Sequence, residues 1–271
     1  NETSYIMWDS SPLTNTGIAT NTKLLTAPLE IISYEDSSGF GGEITAAPFD
    51  GIGTGFKTSV VTNRRAYVAN FKANDSSGNV QVYGDAIMKS QVNKFDSFTV
   101  ENRLEASIRD GDEIIKLEEY ADRLLEFKKK KMTLINISQD VEFVEDIFNY
   151  KGILHYAATC RTDFGVAWVN RQGCYLYDGQ KISNLLEKGG RQIIKESDWA
   201  SFTTDESMIG YFPKKRQLIV MKGSSAVAGD IYLFDMVTQS WVQGNSALTD
   251  SEEHTNFIND SNGDLVWAHT S

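Results

Sequence analysis

The chain has little that stiffens or cross-links a fold. Among its 271 residues are four prolines, two cysteines and three histidines, and the 26 Lys and Arg are outnumbered by 37 Asp and Glu. Each scarcity excludes something. Two cysteines, Cys160 and Cys174, cannot form a disulfide framework; a single bridge between them stays open, but a chain of this length needs no staple, and ordinary buried thiols are expected. The histidines, His155, His254 and His269, lie far apart and fit no zinc-ligand spacing, so no metal site is expected. A formal net charge of -11 repels nucleic acid at long range, so any contact with it needs a local basic surface. No apolar run approaches the roughly 20 residues that span a bilayer, and the opening "NETSYIMWDSSPL" lacks the basic-then-apolar order of a secretory signal. A soluble protein made in a reducing cytoplasm is expected. Because the numbering opens on Asn1 and the strand-like "LVWAHTS" comes last, the chain also reads as a piece of something larger.

Apolar residues make up 41% of the chain and aromatics 11%, enough for a substantial core. Short apolar runs alternate with clusters of Asn, Asp, Gly and Ser, the punctuation of many short strands. Val60 to Phe71 reads as a hairpin turning at Thr62 to Arg64. Phe164 to Leu185, "FGVAWVNRQGCYLYDGQKISNL", reads as a three-stranded meander, with Gly173 and Gly179 expected to supply positive φ at its corners. Met208 to Gly223 turns at Pro213 to Arg216, and Asp230 to Gly244 turns around Val237 to Gln239. "YLYD" at Tyr175 to Asp178 recurs as "YLFD" at Tyr232 to Asp235, 57 residues on. Spacing of that order suits a four-stranded propeller blade. The fold class expected is all-β, a β-propeller-like arrangement of antiparallel meander blades over 59–271, after an irregular, linker or partial-blade segment 1–58. Helix is expected only in "ISNLLEKGG" and in "KESDWASF", the latter capped by Ser197.

The longest basic run is "FKKKK", inside "EIIKLEEYADRLLEFKKKKMTLINIS". Ile115, Leu117 and Tyr120 mark a first strand, Leu124 to Phe127 a second and Met132 to Ile137 a third. Leu125 and Phe127 should face one layer and Leu124 the other. Lys128, Lys129, Lys130 and Lys131 then form a hairpin corner, expected as a type I connection using all four, whose charge deters edge pairing. If the corner faces a channel, the four lysines could touch passing DNA phosphates transiently.

Constellations for catalysis are absent from the pattern. There is no G-x-S-x-G elbow and no Walker loop, and the glycine-rich stretch Gly39 to Phe56 reads as a surface loop. Carboxylates are plentiful, so no pair stands out. Asp260, Asn262 and Asp264 around Gly263 offer oxygens for calcium but lack the distal glutamate of an EF-hand, and a plain turn is expected; "RDGDE", Arg109 to Glu113, reads the same way. Trp168, Trp199, Trp241 and Trp267 could form a sugar-binding or base-stacking set, but Trp168, Trp241 and Trp267 sit in apolar strand patterns where rings fill space between sheets. The expectation is not an enzyme, with no cofactor.

The runs "GDAIMKSQVNKFDSF", "GDEIIKLEEYADRLLEFKKKKMTLINIS", "FNYKGILHYAATCRTDFGVAWVNRQGCYLYDGQKISNLL" and "MIGYFPKKRQLIVMK" resemble tail structural proteins of tailed bacteriophages, in particular the podovirus tail nozzle, or tail tubular protein B, over roughly Arg65 to Gly244. That resemblance implies a virion protein with β-propeller-like domains. It would assemble with itself as a ring, typically a hexamer, around the DNA exit channel, with the phage adaptor and other tail proteins as partners and genomic DNA passing through. The chain is short for a complete nozzle protein, and the matching motifs carry no catalytic residue. The alternative is a propeller binding module whose loops recognise a host-surface glycan or a tail partner.

Overall fold

The computed structural model describes residues 30–32, 41–43, 56–74, 80–106, 111–139, 141–223, 230–245 and 254–269. The described chain is all-β apart from one short helix and two 3-10 turns. It forms two compact units, one of residues 1–126 and 133–146, the other of 127–132 and 147–271. Most of the segment 1–58 lies outside the described residues.

In the first unit, β1 (Glu30–Ile32), β2 (Gly41–Glu43), β3 (Phe56–Thr62), β4 (Arg65–Asn74), β5 (Val80–Gln91) and β6 (Lys94–Leu104) form a six-stranded sheet in the order β2-β1-β6-β5-β4-β3. Among the described residues only β1 and β6 pair in parallel. The β3–β4 hairpin turns on Asn63 and Arg64, both at positive φ (50° and 59°), the mirror-image turn whose twist matches that of its strands. Register shifts at Ala69/Phe71 and Met88/Ser90 bend the strands, and the sheet curls into a half-barrel. Alternation sorts its side chains. Val68, Phe71, Met88 and Phe98 form one apolar cluster, while Tyr67, Ala69 and Ile87 join Ile114, Leu117, Leu124, Ile135 and Ile137 in another.

Those last residues lie, apart from Ile137 just after β9, on β7 (Ile114–Tyr120), β8 (Arg123–Lys128) and β9 (Lys131–Asn136), which with β10 (Phe143–Asn149) make a four-stranded sheet in the order β10-β9-β8-β7. The three strands expected around the lysine run are therefore present. A polar brace accompanies the first unit's core: Lys89 donates to Glu142 at 2.5 Å and the Tyr67 hydroxyl donates to the same carboxylate at 3.3 Å. Burial, with the Glu142 charge second, pushes the Tyr67 hydroxyl up from its ordinary value.

The second unit repeats one plan. β11 (Thr159–Thr162), β12 (Gly165–Asn170), β13 (Gly173–Tyr177) and β14 (Ile182–Asn184) form a four-stranded antiparallel meander; so do β17 (Met208–Phe212), β18 (Gln217–Met221), β19 (Ile231–Asp235) and β20 (Ser240–Gly244). Between them come a hairpin, β15 (Glu187–Lys188) and β16 (Arg191–Gln192), and helix α1 (Glu196–Phe202); after them comes the ribbon of β21 (His254–Asn259) and β22 (Leu265–His269). The two Tyr-Leu-aromatic-Asp runs fall on the third strand of each meander, and both aspartates do the same work. Asp178 Oδ1 accepts the backbone N–H groups of Gln180 and Lys181, each at 2.9 Å, and Asp235 Oδ1 accepts those of Val237 and Thr238, each at 2.9 Å. The side chain thus closes the corner into the fourth strand. β17 neighbours both β11 and β21, so the first strands of successive sheets lie side by side. Gly210 of β17 permits the approach of β21, since a Cβ there would stand 2.6 Å from that of Phe257. Met208, Met221, Ile231 and Ala157 form the core at this point. No closed propeller is seen among the described residues.

Several expectations give way to local geometry. Gly173 is not at positive φ, whereas Gly179 is, at 95°; what Gly173 supplies is room, because a Cβ there would lie 2.8 Å from the Tyr175 ring. "ISNLLEKGG" is not helical. Gly189 and Gly190 both sit at positive φ (60° and 76°) and turn the β15–β16 hairpin. "KESDWASF" is helical, but its N-cap is Lys195 and no side chain caps it; Ser197 lies inside the first turn and donates to Asp198. Cys160 and Cys174 are both free thiols. They sit on β11 and β13, with β12 between them, paired to Ala167 and Val169 respectively. Two strand spacings, about 10 Å, exceed what a disulfide spans.

Candidate functional site

The lysine corner carries the longest basic run of the chain. The connection is tighter than a four-residue turn: β8 runs through Lys128 and β9 begins at Lys131, leaving Lys129 and Lys130 as the corner. Lys128 is fully buried, Lys129 and Lys130 are exposed and Lys131 is half-buried. Lys128 is therefore withdrawn from any surface that DNA would touch. The tightness has a cause in the segment Tyr150 to Ile153, which lies against the corner's backbone. Tyr150 N–H donates to Lys130 O at 2.7 Å and Ile153 N–H to Lys128 O at 2.9 Å. Gly152 comes so close that an added Cβ would stand 2.3 Å from Lys128 O.

Asn170, at the end of β12, holds that segment in place. Its amide donates to Tyr150 O at 3.1 Å and Gly152 O at 2.8 Å. Its Oδ1 accepts the N–H groups of Gln172 and Gly173, and its backbone carbonyl accepts the Trp199 indole N–H at 2.9 Å. Behind the corner, Phe127 meets the buried Trp168 edge-on, with ring centroids 5.3 Å apart, and Trp168 meets Tyr175 at 5.5 Å. Lys151 Nζ lies 3.7 Å over the Tyr175 ring, and burial holds that ammonium below the usual lysine value.

A second feature of the same unit escaped the sequence pattern. A cleft of about 430 Å³ opens between the two meanders. Leu176, Phe234 and Met236 supply apolar wall, Ser183, Asn184 and Gln239 supply uncharged polar groups, and Phe164 and Ile193 also line it. These eight positions span 76 residues of sequence and belong to no shared motif, so only the packing of two meanders brings them together. The charged lining groups are engaged within the protein. Asp178 is held below the usual carboxylate range, chiefly by the Lys181 backbone N–H; Glu187 accepts from Asn184 at 3.0 Å; Lys188 donates to Thr238 O at 2.8 Å.

The remaining candidates resolve into structure. Asp260 Oδ1 accepts the N–H groups of Asn262 and Asp264 at 2.9 and 2.8 Å, and Asp264 accepts Lys214 Nζ at 2.7 Å. With Gly263 at φ 77° the loop is a closed hairpin turn. Arg109 and Asp110 lie outside the described residues, while Glu113 accepts from Lys57 and Asn70. Among the described residues no three His, Cys, Asp or Glu side chains converge as a metal site, and no helix is long and apolar enough to cross a membrane. The tryptophans part company. Trp168 and Trp199 are fully buried, Trp267 is 37% exposed, and Trp241 is half-buried with its indole N–H donating to Leu185 O at 2.8 Å. Trp267 therefore does not fill space between sheets; it stands on the last strand of a two-stranded ribbon.

No protein-family model matches the chain, and no curated protein does. Among solved structures it is similar to the extracellular domain of a one-component system from B. thetaiotaomicron, at 11% identity and a TM-score of 0.48, over 90% of this chain and 31% of that one. It is also similar to a Bacteroides uniformis protein provisionally assigned as a 6-phosphogluconolactonase, at 11% identity and a TM-score of 0.42, over 86% of each chain. The chain thus spans under a third of the first of these.

Proposed function

We propose that the chain is a structural component of a bacteriophage tail, of the nozzle or tail tubular protein B kind, and that it helps wall the conduit for DNA ejection. The observation that carries this reading is the pair of four-stranded meanders built to one plan, their third strands 57 residues apart, within the stretch that resembles tail nozzle proteins. The side-by-side first strands support a propeller-like arrangement of these sheets. Polar groups at the corners are spent on turns and ion pairs, as befits a shape-giving protein rather than a catalyst. In this reading the protein is a virion component, not an enzyme. It forms a ring with copies of itself, a hexamer in the nozzle pattern, and contacts the adaptor and other tail proteins.

A net acidic wall suits a conduit, because tight DNA binding would retard passage. Lys129 and Lys130, with the half-buried Lys131, are the groups left to touch phosphate transiently. Cryo-electron microscopy of the phage particle tests the assignment: density for this chain at the tail exit is expected, and its absence from the tail would overturn the reading. Glutamine at Lys129 and Lys130 together should alter ejection kinetics while leaving particle assembly intact.

A further inference from the structure

We propose that the cleft between the two meanders binds a neutral saccharide. Its chemistry is set by which lining groups are already committed. Asp178, Glu187 and Lys188, the charged residues of the lining, are each oriented by hydrogen bonds to neutral groups of the unit and keep their charges; two carboxylates beside one ammonium give the lining a small negative excess, which disfavours an anionic ligand. Ser183 and Gln239, by contrast, make no side-chain hydrogen bond within the described chain. A hydroxyl and a carboxamide both donate and accept, which matches the hydroxyl groups of a sugar.

The apolar part of the lining completes the match. Phe164 is 38% exposed and Ile193 43%, and Leu176, Phe234 and Met236 join them around the same hollow. A sugar ring presents C–H groups on its faces and hydroxyls around its rim, so it can lie against an aromatic or aliphatic wall while its edge is hydrogen-bonded. The cleft volume, about 430 Å³, lies within the usual range for small-ligand sites and would take roughly one or two sugar rings. An apolar peptide side chain would fit the wall equally, but it would cover Ser183 and Gln239 without replacing their water, at a cost in affinity. Saccharide binding by such a site requires no chemistry beyond hydrogen bonds and contact. It is also independent of whether the chain belongs to a tail.

The test uses the purified chain on an array carrying neutral and acidic bacterial oligosaccharides, with a displayed-peptide library as a parallel arm. Retention of neutral glycans is expected. Phe164→Ala should weaken the best of them about tenfold and Gln239→Ala about threefold, in the range set by losing one contact or one hydrogen bond, with melting temperatures unchanged because both side chains sit at the surface. The proposal is overturned by an absence of neutral-glycan binding, by a preference for acidic glycans or for peptides, or by binding that neither variant alters. Presence in the particle is measured separately, so failure here leaves the tail reading where it stands, and absence from the tail leaves this one.

Discussion

The two meanders of the second unit share a corner and differ in what fills them. In each, an aspartate at the end of the third strand takes two backbone N–H groups and sets the turn into the fourth. Opposite the first tyrosine of that strand, however, β12 offers Trp168 and β18 offers Val220. The first meander therefore carries its large ring on its own second strand. The second borrows two rings and adds one of its own: Tyr232 meets Trp199 and Phe202 from α1 at 5.7 and 4.6 Å, and Trp241 from the meander's own β20 at 5.9 Å. A corner depends on a few residues in sequence and can be copied whole, whereas core volume is shared among elements and can be supplied from anywhere nearby.

Trp168→Ala should separate the two sheets most clearly. It removes a fully buried ring between Phe127 and Tyr175 and should cost about 3–5 kcal/mol, read as a fall in the denaturant midpoint. Val220→Ala, at the matching place, should cost less, because fewer atoms are lost; equal losses would mean that the ring is not what the first sheet rests on. Next comes Gly165→Ala, at φ 140° with an added Cβ 1.9 Å from Tyr177 O. The clash must be relieved by moving backbone, at a cost on the order of 2–3 kcal/mol, and a variant of wild-type stability would contradict this packing.

Smaller effects probe what the sheets share. Asp178 and Asp235 are both held below the ordinary Asp value of 3.8, in each case chiefly by a backbone N–H. A depressed folded-state value means that the stabilisation is fully present above the unfolded value and is lost as pH falls through the folded one. Asp178→Asn and Asp235→Asn keep the acceptor oxygen, so each should leave neutral-pH stability nearly unchanged and flatten the loss below about pH 4. If one variant flattened the acid limb and the other did not, the corners would not be equivalent. Least of all, glutamine at Lys129 and Lys130 should shift stability by no more than about 0.5 kcal/mol, since both are exposed.

Local features were the legible ones. The turns expected at Thr62 to Arg64 and Pro213 to Arg216 and the repeated Tyr-Leu-aromatic-Asp run announce themselves in a few adjacent residues; the first closes on Asn63 and Arg64, within the expected span, and the others appear where expected. So does the alternation that sends Leu124 to one cluster and Phe127 to Trp168. What stayed hidden depends on partners distant in sequence. Lys128 reads as a surface lysine until Ile153 and Gly152 close on its carbonyl. Leu185 and Leu186 suggest a helix until two glycines turn the chain after Lys188. The cleft has no signature at all, because Phe164, Ser183 and Gln239 share only a neighbourhood.

Asn170 joins local and distant contacts in one side chain. Its bonds to Gln172 and Gly173 span two and three residues and can form with the hairpin itself; its bonds to Tyr150 and Gly152 span 20 and 18 and close a longer loop at a higher entropic cost, so they are expected to form later. Asn170→Asp keeps the first pair and abolishes the second, since a carboxylate cannot donate. Such a variant should refold at nearly the parental rate and unfold faster. One side chain thus works as a late latch, setting how long the lysine corner stays docked rather than how quickly it is made.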